Sequence, residues 1–128
     1  MPISCLIVDD NRPFLEAART LLEREGLTVA GVATTSSEAL RQAETLRPEV
    51  VLVDIALGEE NGFDLARQLV QDGVGAESTV VLISTWAEED VADQLSESAA
   101  AGFLSKTALS AAAILEIVDG GASARRGK

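Results

Sequence analysis

Residues 5–14 read CLIVDDNRPF: four residues suited to a buried strand, Cys5 to Val8, run directly into two adjacent carboxylates, Asp9 and Asp10. The apolar run is too short for a core helix, and it is continuous rather than alternating, as in a strand covered on both faces. The residues after it change character at once. Asn11 can cap a helix, Pro13 is tolerated in an opening turn, and Phe14, Ala18, Leu21 and Leu22 follow at helical spacing until Gly26 stops them. The stretch is therefore a strand, an acidic loop and the start of a helix, which is one βα unit.

The same alternation runs along the chain. Strands are expected at Ile3 to Val8, Thr28 to Ala33, Val50 to Val53, Thr79 to Ser84 and Gly102 to Ser105. Between and after them, helical spacing recurs at Ala39, Ala43 and Leu46 behind a Thr35/Glu38 capping box, at Ala66, Leu69 and Val70, at Val91 and Leu95, and over Leu109 to Val118 with Gly120 as the stop. The order predicts an α/β fold of (βα)5 type: a doubly wound, five-stranded parallel sheet with helices on both faces and right-handed crossovers. Residues 1–120 form the expected domain, and 121–128 read as a flexible, slightly basic tail.

Composition narrows the function. Ten Lys and Arg against 21 Asp and Glu give a net charge of -11 and a pI near 4.3, which argues against a broad grip on nucleic acid or anionic lipid and suits a small cation better. Cys5 is the only cysteine, so disulfides and thiolate metal clusters are excluded. No apolar stretch is long enough to span a bilayer and the N-terminus lacks a signal-peptide pattern, so the expected location is the cytoplasm, without membrane attachment.

In an open parallel sheet, function collects at the carboxyl ends of the strands. Asp9 and Asp10 end the first strand, Asp54 the third, Ser84 the fourth, and Lys106 follows the fifth. Three carboxylates on one rim repel one another and raise the pKa of at least one unless a cation is present. A hard divalent ion such as Mg²⁺ relieves that repulsion through oxygen ligands.

This set, with Gly62 eight residues after Asp54, resembles the receiver domain of bacterial two-component response regulators over residues 2 to about 120. The resemblance implies a flavodoxin-like strand order of 2-1-3-4-5 and assigns roles by position. Asp54 matches the phosphoacceptor, Asp9 and Asp10 the metal-binding acids acting with Asp54 and the Ala56 carbonyl, Lys106 the phosphate-contacting lysine, Ser84 the switch hydroxyl and Phe103 the switch aromatic. It implies phosphorylation by a sensor histidine kinase, a phosphotransfer protein or a small phosphodonor, with Mg²⁺. The domain would catalyse its own phosphorylation and slow dephosphorylation. Output would pass through the fourth helix, fifth strand and fifth helix, a face suited to a homodimer. DNA would be a target only if a helix-turn-helix domain follows, as in the subgroup of receivers that carry Lys and then a small or polar residue.

Departures from the family pattern, and one feature of the last helix, stand out. Thr107 follows Lys106 where Pro is common, with a trans bond expected. Gly58 stands where Pro is frequent, leaving LGEENG more flexible. Thr85 adds bulk, and Trp86 is placed to overhang the site. The fifth helix is apolar around more of its circumference than a one-sided helix needs and is expected to lie beside Phe103 with apolar surface left over.

Rival functions fit less well. A haloacid-dehalogenase-type hydrolase needs a second acid two residues after its nucleophile, and that place is Ala56. A flavodoxin-like carrier must offer N–H groups to a dianion, which DDNRP would repel. The alternative within the family is a degenerate receiver serving as a phosphorylation-independent interaction module. It would be signalled by loss of Asp54 or Lys106, and both are present.

Overall fold

The computed structural model describes residues 3–71, 78–85, 93 and 100–126, with side chains in the last segment described through Val118. Its elements run β1 (Ser4–Val8), α1 (Arg12–Arg24), β2 (Thr28–Ala33), α2 (Ser36–Leu46), β3 (Val50–Asp54), β4 (Ala56–Leu57), β5 (Glu60–Asn61) and α3 (Gly62–Gln71). They continue with β6 (Thr79–Ser84), β7 (Gly102–Ser105), a 3-10 turn (Lys106–Ala108) and α4 (Ala111–Arg126). The main sheet has the order β2-β1-β3-β6-β7, all parallel. Counting only its five strands, this is the expected flavodoxin-like 2-1-3-4-5. The strand order reverses between β1 and β3, where loops diverge and leave a crevice at the carboxyl ends.

Period-two alternation sorts the strand side chains onto two cores. Leu6, Val8, Val51, Val53 and Leu82 face one side, under Ala39 and Ala43 of α2 and Leu65, Ala66 and Leu69 of α3. Cys5, Ile7, Val50, Leu52, Val81 and Ile83 face the other, under Leu15, Ala18 and Leu22 of α1 and Ala111 and Ile114 of α4. Burial pushes the Cys5 thiol up to about 11, as befits a small core residue with no thiolate chemistry.

Local signals set the helix starts. Asn11 Oδ1 accepts the Phe14 N–H at 3.1 Å, with Pro13 in the first turn of α1. Thr35 Oγ1 accepts from Glu38 N at 3.2 Å, while Glu38 Oε1 reaches back to Thr34 N at 2.7 Å, a reciprocal cap one residue wider than the usual box. Gly26, at φ 104°, ends α1 as expected.

Several expectations need correction. The last helix begins at Ala111 rather than Leu109, because the chain first makes a 3-10 turn and Ala111 N then donates to Glu25 Oε1 at 2.7 Å. It passes Gly120 and stays helical to Arg126, since a glycine inside a helix costs about 1 kcal/mol relative to Ala but does not by itself break the hydrogen-bond ladder. Phe103 does not lie beside this helix. It packs with the α2/α3 core while its neighbour Leu104 packs with the α1/α4 core, as strand alternation requires. Ile114 is fully buried and Leu115, Ile117 and Val118 are half-buried against the core, so the apolar excess is largely spent inside. LGEENG folds into the β4–β5 hairpin around Gly58, whose φ of 60° suits glycine. The Lys106–Thr107 bond is trans, as expected. The fourth helix expected around Val91 and Leu95, and Trp86, lie outside the described residues.

Gly62 opens α3 where the chain turns back on β3. Its N–H donates to Ile55 O at 2.8 Å, and a Cβ there would collide with the Asp54 carbonyl oxygen and stand 2.8 Å from Ile55 Cα. Both obstacles are backbone and cannot swing aside. Gly62→Ala should therefore lower stability by about 2 kcal/mol or more in urea denaturation; a midpoint equal to that of the parent chain would refute this packing.

Candidate functional site

The site grows out of the ends of β1 and β3. Asp9 is fully buried: its N–H extends the β1–β2 ladder to Ala33 O at 3.0 Å, and its Oδ1 accepts from Asn11 N at 2.8 Å. Its Oδ2 is paired with the Lys106 ammonium, 2.6 Å away. Asp10 is exposed on the rim, beneath the hairpin turn, where a Cβ on Gly58 would stand 3.2 Å from its Oδ2. Asp54 ends β3 at 5% exposure; its Oδ1 accepts from Ala56 N at 3.2 Å, and its Oδ2 lies 3.4 Å from Lys106 Nζ. Lys106 enters from the far edge of the sheet, in the turn after β7, with Nζ 4.4 Å from the centroid of the Phe14 ring.

Among the described residues, Asp9, Asp10 and Asp54 each bring a carboxylate oxygen within 4.8 Å of the others. Burial and the adjacent Asp9 charge push the Asp54 carboxyl up to about 6, against the opposing pull of Lys106 and the Ala56 N–H. Burial draws the Lys106 ammonium down, but its hydrogen bond to Asp9 and the charges of both aspartates outweigh this and hold its pKa above the ordinary lysine value. Three acids against one ammonium leave the pocket net negative. Its oxygen-only donors, one of them buried with an ion pair as its compensation, fit a hard divalent cation.

The remaining sequence-predicted residues fall around this pocket. Ser84 is buried at the end of β6, one residue beyond Ile83, the register partner of Asp54, and paired with Ser105, the residue before Lys106. Ala56 is fixed beside Asp54 by its N–H and opens the hairpin. Phe103 sits two residues before Ser105, half-buried on the α2/α3 face. Thr85 is exposed. The sequence reading placed Phe14 in the α1 core and missed its ring under Lys106. The one available signal was its position four residues after Asp10, in the first turn of a helix that starts at the site.

The Asp54 shift has a consequence for stability. A carboxyl that holds its proton more tightly when folded, about 6 against 3.8, favours the folded state at low pH and loses that advantage as pH rises from about 4 to 6. Asp54→Asn removes the titration. In urea denaturation with EDTA, the variant's stability relative to the parent should grow by about 1–3 kcal/mol between pH 4 and 6.5 and then level off; a difference independent of pH would contradict the crowded pocket.

Comparison with known proteins agrees with this geometry. The family described as response regulator receiver domain matches residues 5–119. The response regulator GacA of Pseudomonas viridiflava is 31% identical over 107 residues, covering 83% of this chain and 49% of that protein. The chain spans about half the length of the first curated relatives it matches. A LuxR-family two-component response regulator from Aurantimonas superposes with a TM-score of 0.83 at 27% identity, covering 94% of this chain and 87% of the other. A response regulator from Burkholderia pseudomallei, whose crystal structure holds a phosphorylated aspartic acid, a calcium ion and citrate, gives 0.78 at 26% identity, covering 98% and 71%. With its sheet order, its acid pocket and a family match across almost its whole length, this chain belongs to the response regulator receiver domains of two-component signalling systems.

Proposed function

We propose that Asp54 is the phosphoryl acceptor of this receiver and that Mg²⁺ is its working cation. The observation that carries the reading is the placement of the Asp54 carboxylate, nearly buried, beside both the acid pair of β1 and the ammonium of Lys106. An Asp54 oxygen attacks phosphorus, the bond to the donor breaks, and an acyl phosphate forms; with a phosphohistidine donor of a sensor kinase or phosphotransfer protein, the imidazole leaves with the electron pair and takes up a proton. Asp9, Asp10, Asp54 and the Ala56 carbonyl would hold the cation, which neutralises charge on the phosphoryl oxygens. Lys106 supplies a point charge to one of those oxygens, and Ser84 donates a hydrogen bond to another. The chain thereby catalyses its own phosphorylation and slow dephosphorylation.

Output follows from Ser84 and Phe103. Drawing the Ser84 hydroxyl inward shifts the end of β6 against β7, which carries Phe103 and leads into Lys106. The face that includes β7, α4 and the expected fourth helix then binds a partner or a second copy of the chain, with Leu115 as the half-buried apolar contact on α4. The working unit is residues 1–120, with α4 running on into the tail as far as Arg126. Curated relatives include a transcriptional regulatory protein of Bacillus subtilis, of which the matched part is 52%, and DNA would be the target only if a helix-turn-helix domain follows this chain. No helix among the described residues is long and apolar enough to cross a membrane; the proposed site of action is the cytoplasm.

Incubation with Mg²⁺ and acetyl phosphate or phosphoramidate should add one phosphoryl group by intact-protein mass spectrometry, and Asp54→Asn should abolish the addition while the fold is kept. A parent chain that takes up nothing, or an Asp54→Asn variant labelled at full yield, would sink the assignment; the first result would favour a phosphorylation-independent interaction module.

A further inference from the structure

The Lys106 ammonium has three hydrogens, and it has three neighbours of suitable kind: Asp9 Oδ2 at 2.6 Å, Asp54 Oδ2 at 3.4 Å, and the face of the Phe14 ring with its centroid at 4.4 Å. We propose that Phe14 is a positioning residue for phosphoryl transfer, its ring holding the Lys106 ammonium over the acid pocket. This role rests on the reading of Asp54 as the acceptor.

The two carboxylates cannot hold Lys106 in one place throughout such a reaction. Asp9 is needed by a bound cation, and an Asp54 oxygen becomes the ester oxygen of the acyl phosphate and loses its full charge. The ring is the neighbour whose chemistry does not change. Its negative face attracts a cation without offering the strong hydrogen-bond acceptor that would compete with phosphoryl oxygens for the ammonium. An aliphatic side chain would fill the space without that attraction.

The ring is also well anchored. Asn11 Oδ1 accepts from Phe14 N at 3.1 Å, and Asn11 N donates to Asp9 Oδ1 at 2.8 Å, so one residue fixes both the carboxylate and the backbone that carries the ring. Pro13 restricts the turn between them, and Phe14 packs partly against the α1/α4 core. With a side chain only 12% exposed, Lys106 is sheltered enough from water for a cation–π contact to be felt.

The test uses Phe14→Leu, which keeps an apolar side chain of similar bulk, and Phe14→Tyr, which keeps the ring face. At saturating Mg²⁺ and phosphoramidate, Phe14→Leu should slow Asp54 phosphorylation about three- to tenfold in its maximal rate, with the half-saturating donor concentration little changed, and Phe14→Tyr should restore the rate. Independently of turnover, the Lys106 ε-methylene resonance should lie upfield from ring shielding in the parent and the Tyr variant and return to an ordinary position in Phe14→Leu. A Leu variant matching the parent in both rate and resonance overturns the proposal, as does a Tyr variant slowed as much as Leu, which would assign the effect to packing. A parent chain that accepts no phosphoryl group while its Lys106 resonance is shielded would instead overturn the acceptor reading, and with it this role.

Discussion

The ion pair between Lys106 and Asp9 is the constraint on which the rest of the site depends. Asp9 is wholly buried, and its Oδ2 has the Lys106 ammonium, 2.6 Å away, as its partner. An uncompensated carboxylate in that position costs several kcal/mol, so a cation must stand beside it or the carboxyl must take up a proton. In this structure the compensation is the ammonium of a lysine from the opposite edge of the sheet, close enough to touch Asp54 as well. A site with two negative side chains tied to one positive one is poised: supply a second cation and the arrangement of the first must change.

The fold is what makes that pairing available. Strand order places β1 and β3 side by side at the centre, and both end in aspartate on the same rim. β6 and β7 then step outward, with Ser84 opposite Ser105 and Lys106 the next residue, and the lysine side chain reaches back across β6 to the centre. Gly62 lets α3 start tight against the carbonyl of Asp54, and the hairpin it closes brings Gly58 over Asp10. Each of these is a backbone decision made by short stretches of sequence, and together they bring four charged groups into one pocket from segments up to 97 residues apart, Asp9 to Lys106.

Much of this was legible beforehand because strands and caps are local. Cys5 to Val8 has no polar residue to turn outward, so it had to be a central strand, and Asn11 and Thr35 announce helices through hydrogen bonds made within a few residues. Asp9, Asp10, Asp54, Ser84 and Lys106 were found because each ends or follows such a strand. The misses involve choices that depend on distant partners. Phe14 looked like an ordinary helix residue until Lys106 lay over it, and the start of α4 depends on a carboxylate 86 positions away at Glu25. The β4–β5 hairpin escaped notice because two-residue strands have no periodicity to detect, and Gly120 misled because a glycine stops a helix only where the chain has a reason to turn.

The central claim is that Lys106 stands in for a metal ion at Asp9 and gives way to it. Crystals of the same protein grown with EDTA and with Mg²⁺ test this most directly through one distance. The account predicts Lys106 Nζ within hydrogen-bond reach of Asp9 Oδ2 without the metal, and separated from it by more than about 4 Å, beyond ion-pair range, when Mg²⁺ sits among Asp9, Asp10 and Asp54. A metal-bound structure in which the Lys106–Asp9 pair persists unchanged would contradict it.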